Sequence, residues 1–218
     1  MDFQLSPLEY RVLGCLLEKE RITPENYPLS LHALTAACNQ TTNRDPVTAY
    51  EEKTVEQALD ALRVKKLATV VWGAGSRVQK YRHNLLDIFN LDPAEVALLC
   101  VLMLRGRQTP GELRARTERL HAFQGVQEVE ARLHKLMEGD SPLVRILPQS
   151  PGQKERRYVQ LLSGEPEMEE SDPVAIAFVA PPPLEKSRID LLESELSALK
   201  SEMAAIRAEF ANFRKQFE

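Results

Sequence analysis

The sequence predicts a mainly helical α+β fold in which three helices and a β-hairpin occur twice and a long helix follows. Three observations predict it: an internal repeat, a change from helical to strand-like patterning inside each copy, and an unbroken 3-4 apolar spacing over residues 189–217. The repeat is read directly. LSPLEY at 5–10 matches LDPAEV at 91–96, and each runs into an apolar stretch. Thr23-Pro24 and Thr109-Pro110 stand 86 residues apart, whereas Val55, Glu56, Leu59 and Leu62 recur 74 residues later as Val129, Glu130, Leu133 and Leu136. The first copy therefore carries about a dozen extra residues before that segment. Lys80-Tyr81 and Arg157-Tyr158 close the two copies. Four matches in one order indicate duplication.

Each element has a local cause. Ser6-Pro7-x-Glu9 and Asp92-Pro93-x-Glu95 each supply an N-cap, a proline at the first helical position and a carboxylate three residues past the cap. Leu8, Val12, Leu13 and Leu16, and Val96, Leu99, Val101 and Leu102, continue at helical spacing. A second helix is predicted over 29–38, starting near Ser30, and over 110–122, where Pro110 suits a first turn. A third is predicted over 53–66 and 126–138, with the four matched positions on one face. Two β-like runs follow in each copy, 68–72 and 78–82 around Gly73-Ala74-Gly75-Ser76, then 143–147 and 156–162 around a Pro/Gly-rich loop.

Three helices and a hairpin in this order are the layout of a winged helix-turn-helix domain, so two tandem copies are expected at 1–90 and 91–163. A helical bundle with an appended hairpin is the alternative. The segments AACNQTTNRDPV (36–47), GSRVQKY (75–81) and RGRQTPGEL (105–113) closely resemble the YceH-like family of bacterial proteins, over about residues 3–164. That resemblance implies a pair of winged-helix domains and leaves the biochemical activity open.

After Leu162 the composition changes. Residues 164–184 read as an acidic, proline-bearing linker and 185–218 as a coiled-coil helix. Ile189, Leu196, Met203, Phe210 and Phe217 fall at heptad position a, and Leu192, Leu199, Ile206 and Phe213 at d. In a parallel dimer, Arg188–Glu193, Glu195–Lys200, Glu202–Arg207 and Glu209–Arg214 would pair with opposite sign, whereas antiparallel helices would bring glutamate against glutamate. The expected partner is thus a second copy of the chain. The bulk of three phenylalanines keeps a trimer, or packing back on the body, as alternatives.

Charge divides along the same lines. Residues 1–90 are net neutral, 91–164 net +2 and 165–218 net −6, so the body lacks the strongly basic balance of an ordinary DNA binder. There is no apolar run long enough to span a membrane and no secretory signal pattern, and three scattered cysteines fit a reducing cytoplasm. The four histidines lack metal-ligand spacing, and no phosphate loop or nucleophile motif is present; no enzyme, metal or cofactor is expected. Cys15 and Cys100 read as buried small apolar residues, and Cys38, at a helix end, as partly exposed.

The candidate nucleic-acid contacts are cations. Arg63, Lys65 and Lys66 end the first copy's third helix; Arg77, Lys80 and Arg82 belong to its wing; Lys154, Arg156 and Arg157 belong to the second wing; Arg114 lies on the second copy's second helix. Against them stand Glu51, Glu52, Glu56, Asp60, Glu128 and Glu130 on the third helices. The insert NQTTNRDPV (39–47) reads mainly as a turn and helix cap, with Arg44 its best candidate for touching phosphate. The leading expectation is a dimer that binds duplex DNA or regulates transcription. The rival is a protein-interaction scaffold.

Overall fold

In the computed structural model, which describes residues 4–72, 78–149 and 155–164, each copy opens on the capping box that its sequence predicts. The order is α1 (Pro7–Ile22), a 3-10 turn (Pro24–Asn26), β1 (Leu29–Ser30), α2 (Leu31–Cys38), α3 (Glu52–Val64), β2 (Ala68–Val71), β3 (Lys80–His83), α4 (Leu85–Phe89), α5 (Pro93–Arg105), α6 (Pro110–Thr117), α7 (Val126–Met137), β4 (Val144–Ile146) and β5 (Tyr158–Gln160). The fold is mainly helical with two small antiparallel sheets.

The capping boxes close in both directions. The Glu9 amide donates to Ser6 Oγ at 3.3 Å and the Ser6 amide donates to Glu9 Oε2 at 2.7 Å. Asp92 and Glu95 repeat the exchange at the start of α5, and Thr109 and Glu112 at the start of α6. Each pair satisfies amides that a helix start leaves without partners. The third helices are amphipathic as predicted: Val55, Leu59 and Leu62 are buried along α3, and Val129, Leu133 and Leu136 along α7.

The duplication is visible in the sheets. β3 pairs with β2 and, on its other edge, with β1, where Leu29 faces Tyr81. In the second copy β4 pairs with β5, and a single bridge joins Gln108 to Tyr158. Leu29 and Gln108 each immediately precede the N-cap of the second helix, and both tyrosines are buried. The repeated Thr-Pro serves different ends. Thr109 caps α6, whereas Thr23 terminates α1 ahead of the 3-10 turn and Ser30 caps α2. The helix predicted over 110–122 stops at Thr117, whose carbonyl accepts from the Leu120 and His121 amides at 2.7 and 2.8 Å and closes a turn.

The two copies meet through their first helices. Every residue of α5 from Ala94 to Leu104 is buried, as expected of a helix that is apolar all round. It lies against α1 closely enough that a Cβ on Gly14 would sit 3.0 Å from Leu104 Cδ2 and 3.2 Å from Met103 Cβ. One continuous core runs from Leu5 through Leu62 and Leu99 to Leu162, and all described residues fall within one compact unit. The copies are packed halves of that unit.

Candidate nucleic-acid interface

The insert faces inward. Arg44, expected at a phosphate, has a fully buried side chain. Its guanidinium pairs with Glu18 of α1 through two bonds, Nη1 to Oε1 at 3.0 Å and Nη2 to Oε2 at 2.6 Å. Its Nε and Nη2 also donate to the Ala37 carbonyl near the end of α2, at 3.1 and 2.9 Å. Nη1 donates to the Asn43 carbonyl at 2.8 Å and Nη2 to Gln40 Oε1 at 3.0 Å, so the expectation for Arg44 is corrected: its donors are spent inside the protein. Burial works to raise Glu18 and lower Arg44, but their mutual hydrogen bonds and charges outweigh it, so Glu18 is held below the usual carboxylate range and Arg44 above the usual guanidinium value.

The rest of the insert joins the copies. The Asp45 amide donates to the Leu104 carbonyl at the end of α5 at 2.9 Å, and Arg105 Nη1 donates to Asn43 Oδ1 at 2.9 Å. Arg11 of α1 donates to the Pro46 carbonyl at 2.6 Å. Asn39 exchanges two 2.8 Å bonds with the backbone of Tyr50 and draws the chain back toward α3. Folded over the end of α2, the insert leaves Cys38 buried rather than partly exposed. All three thiols are interior; burial pushes Cys100 up, and Cys38 is raised first by its hydrogen bond with Cys15.

Other candidate cations are committed as well. Lys65 Nζ reaches the capping glutamate Glu9 and the Gln4 carbonyl. Arg157 Nη1 bonds the capping glutamate Glu112 at 3.0 Å and the Arg107 carbonyl at 3.1 Å. Lys135, near the end of α7, takes Glu95 in the same way. Each of the three capping glutamates is thus met by a cation from a later element. Burial tends to raise Glu9 and Glu112, yet the Lys65 bond and the Ser6 cap on the first, and the Thr109 amide and then the Arg157 charge on the second, leave both below the usual carboxylate range.

Fewer cations remain outward. Arg63 pairs with Asp60 at 2.8 Å on the surface of α3. Lys66, Arg82, Arg114 and Arg156 are exposed, and Lys80 is half-buried. Lys80 and Arg82 share the outer face of the hairpin, since Tyr81 and His83 between and beside them are buried. Arg77, Lys154 and the predicted dimer residues Ile189 to Phe217 lie outside the described residues. On α3, Glu52, Glu56 and Asp60 are exposed. Among the described residues no cluster of three metal-ligating side chains occurs, and no helix is long and apolar enough to cross a membrane.

The sequence reading missed Glu18 and Arg105. Glu18 lies 26 residues from Arg44, a separation with no local periodicity to betray it. Of the capping glutamates, Glu9 and Glu95 were legible from their spacing to the N-cap, whereas Glu112 was not singled out.

Residues 5–153 match the family described as protein of unknown function, DUF480. A UPF0502 protein of Citrifermentans bemidjiense is 55% identical over 170 residues, which cover 78% of this chain and 79% of that protein. A UPF0502 protein of Geotalea uraniireducens is 49% identical over 203 residues, covering 89% and 90%, and one of Opitutus terrae is 50% identical over 184 residues, covering 84% and 78%. With two thirds of its length inside the family match and relatives aligned over most of theirs, the chain belongs to the DUF480 (UPF0502) family of bacterial proteins.

Proposed function

We propose that the chain is a non-enzymatic tandem winged helix-turn-helix protein, dimeric through a parallel C-terminal coiled coil, that engages another protein rather than reading duplex DNA. The repeated order of three helices and a hairpin, and the resemblance to the YceH-like family, support the architecture. The observation that carries the function is the charge of α3. In a winged-helix DNA reader the third helix enters the major groove. Here its exposed side chains include Glu52, Glu56 and Asp60, and Arg63 is held by Asp60. Carboxylates on such a face oppose phosphates and lose the counterion-release gain on which duplex binding depends. They suit a partner surface rich in lysine and arginine.

One specific observation favours the duplex reading: Lys80 and Arg82 share the hairpin's outer face, with Lys66, Arg114 and Arg156 also exposed. Fluorescence anisotropy of the full chain with random-sequence duplex across a salt series separates the two. No binding at low salt is expected. Salt-steep binding that falls on K80A/R82A would replace the protein reading with the DNA one. Affinity capture then tests the protein reading directly: a captured partner should be lost with E56K/D60K, and a partner retained by that variant would remove α3 from the interface. For the tail, sedimentation should give a dimer for the full chain and a monomer for L199D/I206D.

A further inference from the structure

We propose that the cleft at the seam between the two copies binds a small organic monocarboxylate with an aromatic or branched apolar body. The cleft encloses about 190 Å³ between α1 and the insert on one side and α5 and the end of α6 on the other. Its floor is apolar, built on the buried Cys100, Val101 and Leu104. Its rim carries three guanidinium groups, Arg105, Arg116 and Arg119. An apolar cavity of about 150 Å³ takes up benzene, so this space suits one ring and a carboxylate.

The rim is short of anions. Arg105 Nη1 is held by Asn43 Oδ1, but its Nε is buried with no hydrogen-bond partner among the described residues. Burial first, and then the charge of Arg116, hold Arg105 below the ordinary guanidinium value. Arg116 stands 3.8 Å from Glu112. That glutamate is already committed, because its Oε2 accepts from the Thr109 amide at 2.9 Å and from Arg157 at 3.0 Å. Arg119 has no ion-pair partner among the described residues. Two carboxylates line the cleft. Glu18 is neutralised by Arg44 at 2.6 Å and has Lys19 at 3.3 Å, whereas Glu118 has no ion-pair partner among the described residues.

A carboxylate at the rim would offset the repulsion between Arg105 and Arg116, in the charge-assisted geometry that arginine favours. The apolar floor adds affinity only if the anion brings hydrocarbon with it, which separates an organic acid from free phosphate. The first copy's insert presets the rim. Asn43 adopts the left-handed conformation, with φ of 58°, and from there its side chain holds Arg105 across the seam. A bound ligand would touch both copies, and this inference holds whichever macromolecule the protein engages.

Titration calorimetry and thermal shift on the full chain, at constant ionic strength, test it with three probes: sodium phenylacetate, the uncharged phenylacetamide and inorganic phosphate. Phenylacetate should bind saturably at about 1 mM. Phenylacetamide and phosphate should each bind at least about tenfold more weakly. R116Q/R119Q, whose altered side chains lie outside the core, should keep the unliganded Tm and lose phenylacetate affinity by at least about tenfold; R119Q alone is the fallback and should weaken it measurably. No phenylacetate binding up to about 10 mM, equal binding of phosphate, or unchanged binding by the variants would overturn the site.

Discussion

The link between the second and third helices is where the two copies differ most. In the first copy residues 39–51 separate α2 from α3; in the second, the shorter stretch 118–125 separates α6 from α7. Both links are polar in sequence. The longer one drives its arginine into the interior, where Arg44 meets Glu18 and the end of α2 while Asp45 caps the end of α5. The shorter one buries only Phe123, set edge-on to His121 at 4.6 Å, and leaves Arg119 at the cleft. Helix ends carry carbonyls that need donors. Where a loop crosses two such ends its donors are consumed there, the Arg44 side chain at α2 and the Asp45 main-chain amide at α5, and polar composition by itself is no sign of a recognition surface.

The sharpest way to break this comparison is at Arg44. Arg44→Ala strands a buried carboxylate and should cost about 3–5 kcal/mol in urea unfolding of the full chain. R44M/E18L removes both charges and should cost clearly less than Arg44→Ala alone. Arg119→Ala in the equivalent link should leave stability within about 0.5 kcal/mol of the parent. A small loss from Arg44→Ala would mean that the buried Arg44–Glu18 pair is not what fixes the insert against α1 and α2.

Acid should loosen both copies. Glu9, Glu18, Asp92 and Glu112 all have folded-state pKa values below the ordinary carboxylate range. Their contribution is therefore complete above the unfolded-state value and is lost as pH falls through the folded values. His83 adds to the same trend at higher pH. Burial lowers it from 6.5 despite Glu20 at 2.9 Å, so charging it below that pH favours the unfolded chain. Between neutral pH and pH ~4, Tm should fall by on the order of 5 °C or more. Lys65→Met should reduce the carboxylate part of that slope in the first copy and leave the contribution of Asp92 and Glu112 in place.

The seam itself is tested at Gly14. Alanine gains about 1 kcal/mol of helix propensity over glycine, but a Cβ there meets Leu104 and Met103 inside ordinary contact distance. Overpacking of a fixed core costs about 1–3 kcal/mol, so Gly14→Ala should lose about 1 kcal/mol net and Gly14→Val more. Gly111 in α6 is the control. Its nearest atom would be Thr109 Oγ1 at 4.0 Å, and Gly111→Ala should be neutral or stabilising. Equal behaviour of the two glycines would argue against a tight seam.

Much of the fold was legible because its causes are local. A serine or aspartate three residues before a glutamate defines a helix start within one turn, and the α3 and α7 stripes fix which face is buried. The tyrosine that closes each copy marked the strand that the N-terminal partner pairs with. The candidate site was legible mainly as a list of charges. Whether a cation faces solvent depends on the carboxylates that the tertiary fold brings to it. Glu18 reaches Arg44, Glu9 reaches Lys65 and Glu112 reaches Arg157 across separations with no periodicity. The packing of the two copies left one trace, the uninterrupted apolar run of α5, which a single amphipathic face does not require.

Arg63 and Lys65 give the smallest and finest form of the comparison, since they are two residues apart at the same helix end. The Arg63–Asp60 pair is 47% and 63% exposed, whereas Lys65 and Glu9 are 25% and 8% exposed. Solvent screens the first pair and its side chains give up freedom to form it, so Arg63→Ala should change unfolding stability by less than about 0.5 kcal/mol. Lys65→Ala removes the partner of a buried capping carboxylate and frees the Gln4 carbonyl, and should cost about 1–2 kcal/mol. Both variants remove one positive charge near α3, so general duplex affinity through that helix end would fall alike in the two, while stability would fall in only one. Arg63→Ala as costly as Lys65→Ala would show that burial of the acceptor does not set the value of a cation in this fold.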